Sequence, residues 1–275
     1  MRLQGETMKD MRRTIEDALY DATESIASVE NLDVRLKNRE VGNLVSEADL
    51  ASGRAIRIAF AREITGHDCA FISEEIKAGI EVTHKNFSAH EWVVVVDEID
   101  GTMNFVNGKP TWSISIGLHS YGEPIASGIF APQLGLHGLL YYAERGHGVF
   151  LNNEKLTRRP LPQTPKRVVA MDWAFGKSPQ ELLPLYAKLV NRYTLRIEGH
   201  VALPLAWTAA GINHAYCHNS VQPHDCGAAL LMLQEMGLKV TNWQGEQYTI
   251  FDKHILAAPE EFHEELFELF FGDER

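Results

Sequence analysis

The chain has 275 residues, of which 45% are hydrophobic and 23% charged, a composition typical of a globular protein with an ample core. Its formal net charge of −11 argues against a nucleic-acid backbone as the main partner, and it means that an anionic ligand needs local positive charge. The three cysteines form no Cys-x-x-Cys motif and no disulfide framework, and neither a signal peptide nor an apolar run of about 20 residues is visible. We therefore expect a cytoplasmic protein without a membrane span.

Hydrophobic periodicity divides the first half of the chain into two helices and a set of strands. Apolar residues three and four apart predict a helix over residues 8–30, and a second helix over 46–64 has Ser46 as its N-cap. Residues 31–42 are predicted to form a loop or short hairpin, and residues 77–90 a surface loop. Strands are predicted at 70–73, 92–96, 112–118, 125–130 and 138–142, the last three as an antiparallel meander.

A basic, proline-containing segment over residues 155–167 is the predicted boundary between two halves of the chain. After it, helices and strands alternate, which predicts a layered α/β architecture. The predicted strands are 168–171, 194–197, 215–216 and 255–257. The predicted helices are 179–190, 201–211, 225–236 and 259–270, the last with a proline in its first turn.

The valine-rich strand of the first half ends in three carboxylates within four positions, Asp97, Glu98 and Asp100. Such a cluster needs solvent or a cation, and its oxygen ligands suit Mg²⁺, Mn²⁺ or Ca²⁺ rather than soft metals. Gly101 lets the backbone approach a ligand, and Thr102 adds a hydroxyl at the start of a helix or turn whose N–H groups favour an anion. Cation ligands beside an anion site predict phosphate chemistry, with an ordinary acidic strand-to-helix turn as the alternative.

Four motifs carry a resemblance to a known family. Segment 97–105 reads Asp-Glu-Ile-Asp-Gly-Thr-Met-Asn-Phe and resembles the first signature of the inositol monophosphatase family, Asp-Pro-Ile-Asp-Gly-Thr-Thr-Asn-Phe. Segments 43–49 and 71–75 are similar to the family's Asp-Leu-Val-Thr-x-x-Asp and Phe-Ile-Gly-Glu-Glu, and segment 224–229 is similar to its second signature, Trp-Asp-x-Ala-Ala-Gly. The motifs occur in the family's order, and the resemblance covers roughly residues 10–260.

The resemblance implies one domain over residues 1–275, an α/β (α+β) fold built as a layered α-β-α-β-α sandwich of the sugar-phosphatase type. Residues 8–155 would carry the metal site, and residues 165–272 would complete it. The implied activity is that of a Mg²⁺-dependent phosphoric monoester hydrolase that uses two or three ions, with Mn²⁺ as a substitute, on a small phosphorylated metabolite. A lithium-sensitive homodimer is expected. Inositol monophosphate is the first substrate candidate, and histidinol phosphate, fructose 1,6-bisphosphate, other sugar phosphates and a 3′-phosphoadenosine nucleotide stay open.

The resemblance also assigns the metal ligands. Glu74, Asp97 and the backbone carbonyl of Ile99 would hold a first ion. Asp97 would bridge to a second ion, which Asp100 and Asp225 would complete, while Glu74 and water would hold a weaker third ion. The alternative for Asp225 is an ordinary helix cap.

Catalytic and substrate-binding roles follow from the same matches. Thr102, with Asp49 behind it, would orient and help to deprotonate the attacking water, and Glu74 would assist through its ion. The N–H groups of Gly101 and Thr102 would bind the phosphate. The substrate-binding residues implied in this way are Gly101, Thr102, Asp100, His218 and His224.

Two positions depart from the family's pattern. Glu98 replaces a proline that stiffens the link between two metal-binding acids, and it points outward, pairs with Lys37 or Lys109, or tunes metal affinity. His224 replaces an aromatic residue and either packs over the site or contacts the substrate. Lys37 could also serve a third metal or the phosphate, or be an ordinary solvated lysine.

Further residues favour or exclude other functions. His214 and His218 stand where the family often has acids that bind sugar hydroxyls, so they favour a more anionic substrate or, alternatively, lie at a dimer interface. The cysteines and histidines over 214–226 match no zinc-site spacing. No glycine-rich nucleotide-binding motif is present. The rival hypothesis is a non-catalytic regulatory member of the family, which the two departures would explain.

Overall fold

The structure is a computed structural model that describes residues 2–30, 34–36, 44–64, 66–75, 82–163, 166–173 and 182–272, with side chains from residue 11 onward in the first of these ranges. Lys37 and its predicted roles lie outside the described residues, as do parts of both predicted loops of the first half. Among the described residues, no helix combines the length and the apolarity that crossing a bilayer requires.

The described residues form helices and strands with the following bounds. The helices are α1 (Arg2–Ala27), α2 (Glu47–Glu63), α3 (Thr102–Val106), α4 (Leu182–Leu189), α5 (Ala202–Ala210), α6 (Pro223–Cys226), α7 (Ala229–Glu235) and α8 (Glu260–Phe271). The strands are β1 (Val34–Leu36), β2 (Leu44–Ser46), β3 (Cys69–Ser73), β4 (Trp92–Asp100), β5 (Ser113–Ser120), β6 (Glu123–Ala131), β7 (Leu139–Glu144), β8 (Gly148–Leu151), β9 (Glu154–Lys155), β10 (Val168–Asp172), β11 (Thr194–Arg196), β12 (Ala215–His218), β13 (Lys239–Thr241) and β14 (Ile255–Ala258).

Two mixed sheets organise the described residues. The large sheet has the order β3-β4-β5-β6-β7-β8-β9, in which β3 and β4 are parallel and the other pairs antiparallel. The small sheet has the order β11-β10-β12-β14-β13, in which β10 is parallel to both of its neighbours and β14 antiparallel to its own. Strands β1 and β2 form a separate antiparallel pair, consistent with the hairpin that was one of two options for this region.

The sheets and helices stack in five layers. Helices α1 and α2 pack on one face of the large sheet, α5 and α7 lie between the two sheets, and α4 and α8 cover the other face of the small sheet. The valine run of β4 is apolar at successive positions because both faces of the strand are covered: Val94 and Val96 face α1 and α2, while Val93 and Val95 face the layer between the sheets. The predicted α-β-α-β-α sandwich is confirmed.

Several boundaries differ from the predictions. Helix α1 ends at Ala27 rather than near residue 30. Strand β4 does not stop before the acids but continues through Asp100, with a register shift against β5 between Asp97 and Asp100. The predicted helix over 225–236 is two helices, α6 and α7, which Gly227 separates. Strands β2, β8, β9 and β13 were not predicted, because each has at most four residues, too few for a hydrophobic period to be recognised.

Candidate active site

Asp97 lies at the centre of the candidate site. It is buried in β4 with 2% exposure, and its Oδ1 accepts no hydrogen bond from the described residues. Burial, followed by repulsion from Glu74, Asp100 and Asp225, raises the pKa of Asp97 well above its usual range. A buried carboxylate oxygen without a donor, surrounded by other carboxylates, fits a divalent cation, because a cation would offset both the burial and the repulsion.

Glu74 reaches the same place from the neighbouring strand. It directly follows β3, which runs parallel to β4, so both strands bring carboxylates to the same edge of the large sheet. Glu74, Asp97 and His224 each offer one ligand atom, and these three atoms lie within 4.8 Å of one another. Within the described part of the chain this is the one group of histidine, cysteine and acidic residues suited to a metal; Cys217 and Cys226 are buried free thiols outside it.

Asp100 joins the two halves of the molecule. Its Oδ1 accepts the N–H of Val201 at 2.8 Å, and its Oδ2 accepts the N–H of Ala202 at 2.9 Å and the hydroxyl of Ser113 at 3.1 Å. Helix α5 has no capping side chain of its own, so the carboxylate of Asp100 caps it from another element and interacts favourably with the helix dipole. The strand end and the helix start are thereby held together.

Asp225 comes from the short helix α6. Gln222 is the N-cap of this helix, and Asp225 accepts the N–H of Gln222 in a capping box, so the cap that was one alternative for Asp225 is present. Burial raises the pKa of Asp225 to about 6, although the charge of His224 and the hydrogen bond from Gln222 oppose the increase. Oδ1 of Asp225 lies 3.5 Å from Nε2 of His224, so the capping role leaves this oxygen facing the site.

Thr102 and Asp49 are adjacent, as the family resemblance implies. Thr102 Oγ1 lies 3.1 Å from the carbonyl oxygen of Ile99 and 3.4 Å from Oδ1 of Asp49. Asp49 is fully buried, and the backbone N–H of Ser46 donates to its Oδ2 at 2.7 Å, with the Ser46 hydroxyl donating to the same oxygen. The α2 capping box thus leaves Oδ1 of Asp49 directed at the threonine. Gly101 adopts φ +90°, a left-handed conformation that turns the chain from β4 into α3.

Glu98 is buried, so the expectation that it points outward is wrong. It is 1% exposed, the hydroxyl of Ser73 donates to its Oε1, and no donor among the described residues reaches its Oε2. The hydroxyl of Ser52 donates to its backbone carbonyl at 2.9 Å. Burial raises the pKa of Glu98 to about 8. Glu98 makes no ion pair with Lys109 within the described chain, since Glu98 is buried and Lys109 is exposed.

His218 at the end of β12 and His214 just before the strand each accept a hydrogen bond from a backbone N–H group. His218 is 4% exposed, its Nδ1 accepts the N–H of Ser220 at 2.9 Å, and burial lowers its pKa to about 3. It lies on the same face of β12 as Tyr216, with the ring centroids 6.4 Å apart. His214 precedes the strand, and its Nδ1 accepts the N–H of Val168 at 2.7 Å. His218 is therefore at the end of β12 opposite to His214.

Sequence reasoning missed the residues around Asp100. Ser113 and the N–H groups at the start of α5 were not considered as its partners, nor was His200, whose Nδ1 lies 3.7 Å from Oδ2 of Asp100. Burial lowers the pKa of His200, although Asp100 opposes the effect. One signal was available: the helix predicted over 201–211 has no Ser, Thr, Asp or Asn at its start, so its free N–H groups require an acceptor from elsewhere.

Comparison with known proteins agrees with the fold described above. The profile described as the inositol monophosphatase family matches residues 7–271. The chain belongs to this family. The inositol-1-monophosphatase of Rhizobium meliloti is 32% identical over 237 residues, which cover 83% of this chain and 84% of that protein. The inositol-1-monophosphatase of Caulobacter vibrioides is 28% identical over 245 residues, which cover 86% of this chain and 90% of that protein.

A solved structure agrees with this membership. The crystal structure of the extragenic suppressor protein suhB from Bartonella henselae matches with a TM-score of 0.83 at 26% identity, covering 96% of this chain and 97% of that one. As a member of the inositol monophosphatase family, the protein is a metal-dependent phosphatase of phosphate monoesters.

Proposed function

We propose that the protein hydrolyses a small phosphate monoester such as inositol monophosphate, at the cluster formed by Glu74, Asp97, Asp100 and Asp225. The observation that carries this proposal is the buried Oδ1 of Asp97, which has no donor among the described residues and is repelled by the three other carboxylates. Two or three divalent cations, Mg²⁺ with Mn²⁺ as an alternative, would be held here. Bound in such a site, they lower the pKa of a water molecule and neutralise charge on the phosphoryl group.

The ligands we propose are those that the family resemblance implies. Glu74, Asp97 and the Ile99 carbonyl would hold one ion, and Asp97, Asp100 and Asp225 another. Asp100 already accepts several hydrogen bonds, but most of them go to Oδ2. A carboxylate oxygen has two lone pairs, so Oδ1, which accepts one N–H, retains one lone pair for a metal.

Thr102 and Asp49 would position and deprotonate the attacking water. The single hydroxyl proton of Thr102 has two acceptors, Ile99 O and Asp49 Oδ1, and when it is directed at Asp49 the lone pairs of Oγ1 are free to accept from water. Asp49 is held rigidly by Ser46, so it fixes the threonine rotamer. The proton that leaves the water would pass through Oγ1 to the buried carboxylate.

The substrate would lie against the turn at Gly101. N–H groups at the start of a helical turn have no partner within it, so those of Gly101 and Thr102 would bind phosphoryl oxygens. Asp100 would border the leaving group. His218 is the further substrate residue that the resemblance implies, and since its Nδ1 accepts the N–H of Ser220, only its Nε2 is left for a substrate. An imidazole in this place favours a substrate with an anionic or hydroxyl group beyond the phosphate.

The assembly and the location of the protein belong to the same proposal. We propose a homodimer in the cytoplasm, because the family resemblance implies the dimer and the described cysteines are free thiols that suit a reducing compartment. Lithium inhibition is expected, since Li⁺ can replace a loosely held Mg²⁺.

Phosphate release from purified protein tests the function. The panel would contain inositol monophosphate, histidinol phosphate, fructose 1,6-bisphosphate and a 3′-phosphoadenosine nucleotide, each with Mg²⁺ and with EDTA. We expect release that requires Mg²⁺ and is fastest for one compound. Absence of release from every compound, in a folded protein shown to bind the ion, would contradict the proposal and favour the regulatory alternative.

A further inference from the structure

His224 occupies a position from which it reaches two of the acids at once. It lies on α6 directly before Asp225, and its side chain is 16% exposed, at the border of the site rather than inside the core. One of its ring nitrogens lies within 4.8 Å of ligand oxygens of Glu74 and Asp97, and its Nε2 lies 3.5 Å from Asp225. An imidazole nitrogen therefore stands among the carboxylates.

The side chain of His224 is largely buried, so it packs at the border of the site, but packing alone does not account for a ring nitrogen that stands among the acids. No aromatic ring among the described residues makes a ring contact with it, whereas other histidines, such as His119 and His218, make such contacts. The tryptophan of the family's motif could not replace its chemistry, because an indole N–H only donates, while a neutral imidazole offers a lone pair to a metal. The substitution thus adds a ligand group to the site.

The ligand atoms of Glu74, Asp97 and His224 are close enough together to hold one ion. Ligand atoms about 2.1 Å from a metal lie at most about 4.2 Å from one another, so a mutual separation within 4.8 Å requires only small adjustments. Asp97 supplies an independent indication, because its Oδ1 is buried without a donor in the described chain and Asp97 is 2% exposed.

We propose that His224 is a ligand of the ion held by Glu74 and Asp97, so that this site has mixed nitrogen and oxygen ligands and prefers Mn²⁺ over Mg²⁺. The inference rests on the metal site of the proposed function and concerns which ion it selects. Mg²⁺ takes oxygen ligands in near-ideal octahedra and keeps several waters, whereas divalent transition ions also accept imidazole. Mn²⁺ binds imidazole most weakly among them, but it combines that ligand with the carboxylates better than Mg²⁺ does. One residue exchange would therefore shift the metal preference of the fold.

The test is pulsed electron paramagnetic resonance of the full-length protein with one equivalent of Mn²⁺. Coupling of the electron spin to an imidazole ¹⁴N reports direct ligation independently of turnover. We expect this coupling in the natural protein and in His137→Gln, a matched control at an exposed histidine. It should be absent in His224→Gln and in His224→Trp, which restores the family's residue. Calorimetry should show the ratio of Mn²⁺ to Mg²⁺ affinity falling about tenfold or more in both variants.

The outcomes separate this inference from the proposed function. Mn²⁺ that binds to the natural protein without ¹⁴N coupling, or coupling that persists in His224→Gln, overturns the ligation by His224. If metal-dependent phosphate release is retained in that case, the phosphatase function stands and only the ligand assignment fails. If the folded natural protein binds no metal and releases no phosphate, the proposed function itself is contradicted.

Discussion

At the scale of single residues, the neighbouring acids Asp97 and Glu98 of β4 point to opposite sides of the strand and have different partners. Asp97 faces Glu74 and Asp225, in the site, while Glu98 points to the other side of the strand and is hydrogen-bonded to Ser73. A buried acid with one bonded oxygen and one free oxygen is costly unless it holds a proton, which agrees with a pKa raised to about 8. The glutamate that replaces the family's proline therefore ties β4 to the end of β3, directly before Glu74.

The Ser73–Glu98 contact can be tested by a pair of substitutions. Ser73→Ala should lower the free energy of unfolding by about 1–3 kcal/mol, because it leaves a buried carboxyl with no donor. Glu98→Gln keeps an acceptor for the serine and removes the acid, so its effect should be within about 1 kcal/mol of the natural protein. Urea unfolding at pH 7 measures both. A larger loss for Glu98→Gln than for Ser73→Ala would contradict this account of the contact.

At the scale of elements, the sequence predicted those whose apolar pattern is long. Periodicity located α2 and its cap at Ser46, and the valines located β4. It failed where a tertiary contact decides the local structure. Whether β4 ends before Asp97 or after Asp100 depends on pairing with β5, and the split between α6 and α7 depends on the close packing of Gly227, neither of which leaves a local signal.

The sequence predicted the site residues that lie within motifs, but not the contacts between distant segments that hold them in place. Residues within the family's motifs were identified, and the structure brings Glu74, Asp97 and His224 together. The hydrogen bonds from α5 to Asp100 could not be found by spacing, because about a hundred residues separate the partners in sequence. Periodicity finds elements, but only the fold shows which helix start meets which strand end.

The contact between β5 and the junction of α6 and α7 makes a sharp prediction about packing. A β-carbon at Gly117 would overlap the carbonyl oxygen of Gly227, so Gly117→Ala must displace the backbone that follows Asp225. We expect it to cost about 3 kcal/mol of unfolding free energy and to weaken metal binding as well. Ser127→Ala, opposite Gly117 on β6, is the matched control and should change neither quantity appreciably. Tight metal binding by Gly117→Ala would contradict the prediction.

The stability of the same contact between β5 and Gly227 should depend on pH through His119. This histidine is 1% exposed, its Nε2–H donates to the Gly227 carbonyl at 3.1 Å, and burial lowers its pKa to about 4. Because the unfolded chain, with an ordinary histidine pKa of about 6.5, binds the proton first, stability falls as the pH falls from about 6.5 towards 4. His119 contributes about 3 kcal/mol to this decrease in the free energy of unfolding.

Comparison with His119→Gln isolates that contribution. Urea unfolding from pH 7 to pH 4 should show a smaller loss of stability for His119→Gln than for the natural protein. His137→Gln, at an exposed position, should follow the natural protein. Parallel stability curves for the natural protein and His119→Gln would show that His119 is not held in its neutral form.

At the scale of the whole molecule, the candidate site depends on both halves of the chain. The large sheet supplies Glu74, Asp97 and Asp100, while Asp225 and the start of α5 come from the second half and pack between the sheets. This sharing favours the predicted single domain, which stays a proposal. With a net charge of −11, the molecule as a whole repels an anionic substrate, so substrate binding depends on cations concentrated at this one place.

The most direct measurement of the central claim is the turnover of phosphate monoester by Asp97→Asn and Asp225→Asn, each at saturating Mg²⁺ and Mn²⁺. Both substitutions remove a charge that the proposed ions require, so turnover should fall by at least about 100-fold while circular dichroism stays unchanged. Asp17→Asn, the same exchange at an exposed position of α1, should retain the natural rate. Turnover by folded Asp97→Asn or Asp225→Asn close to that of Asp17→Asn would contradict hydrolysis at this cluster.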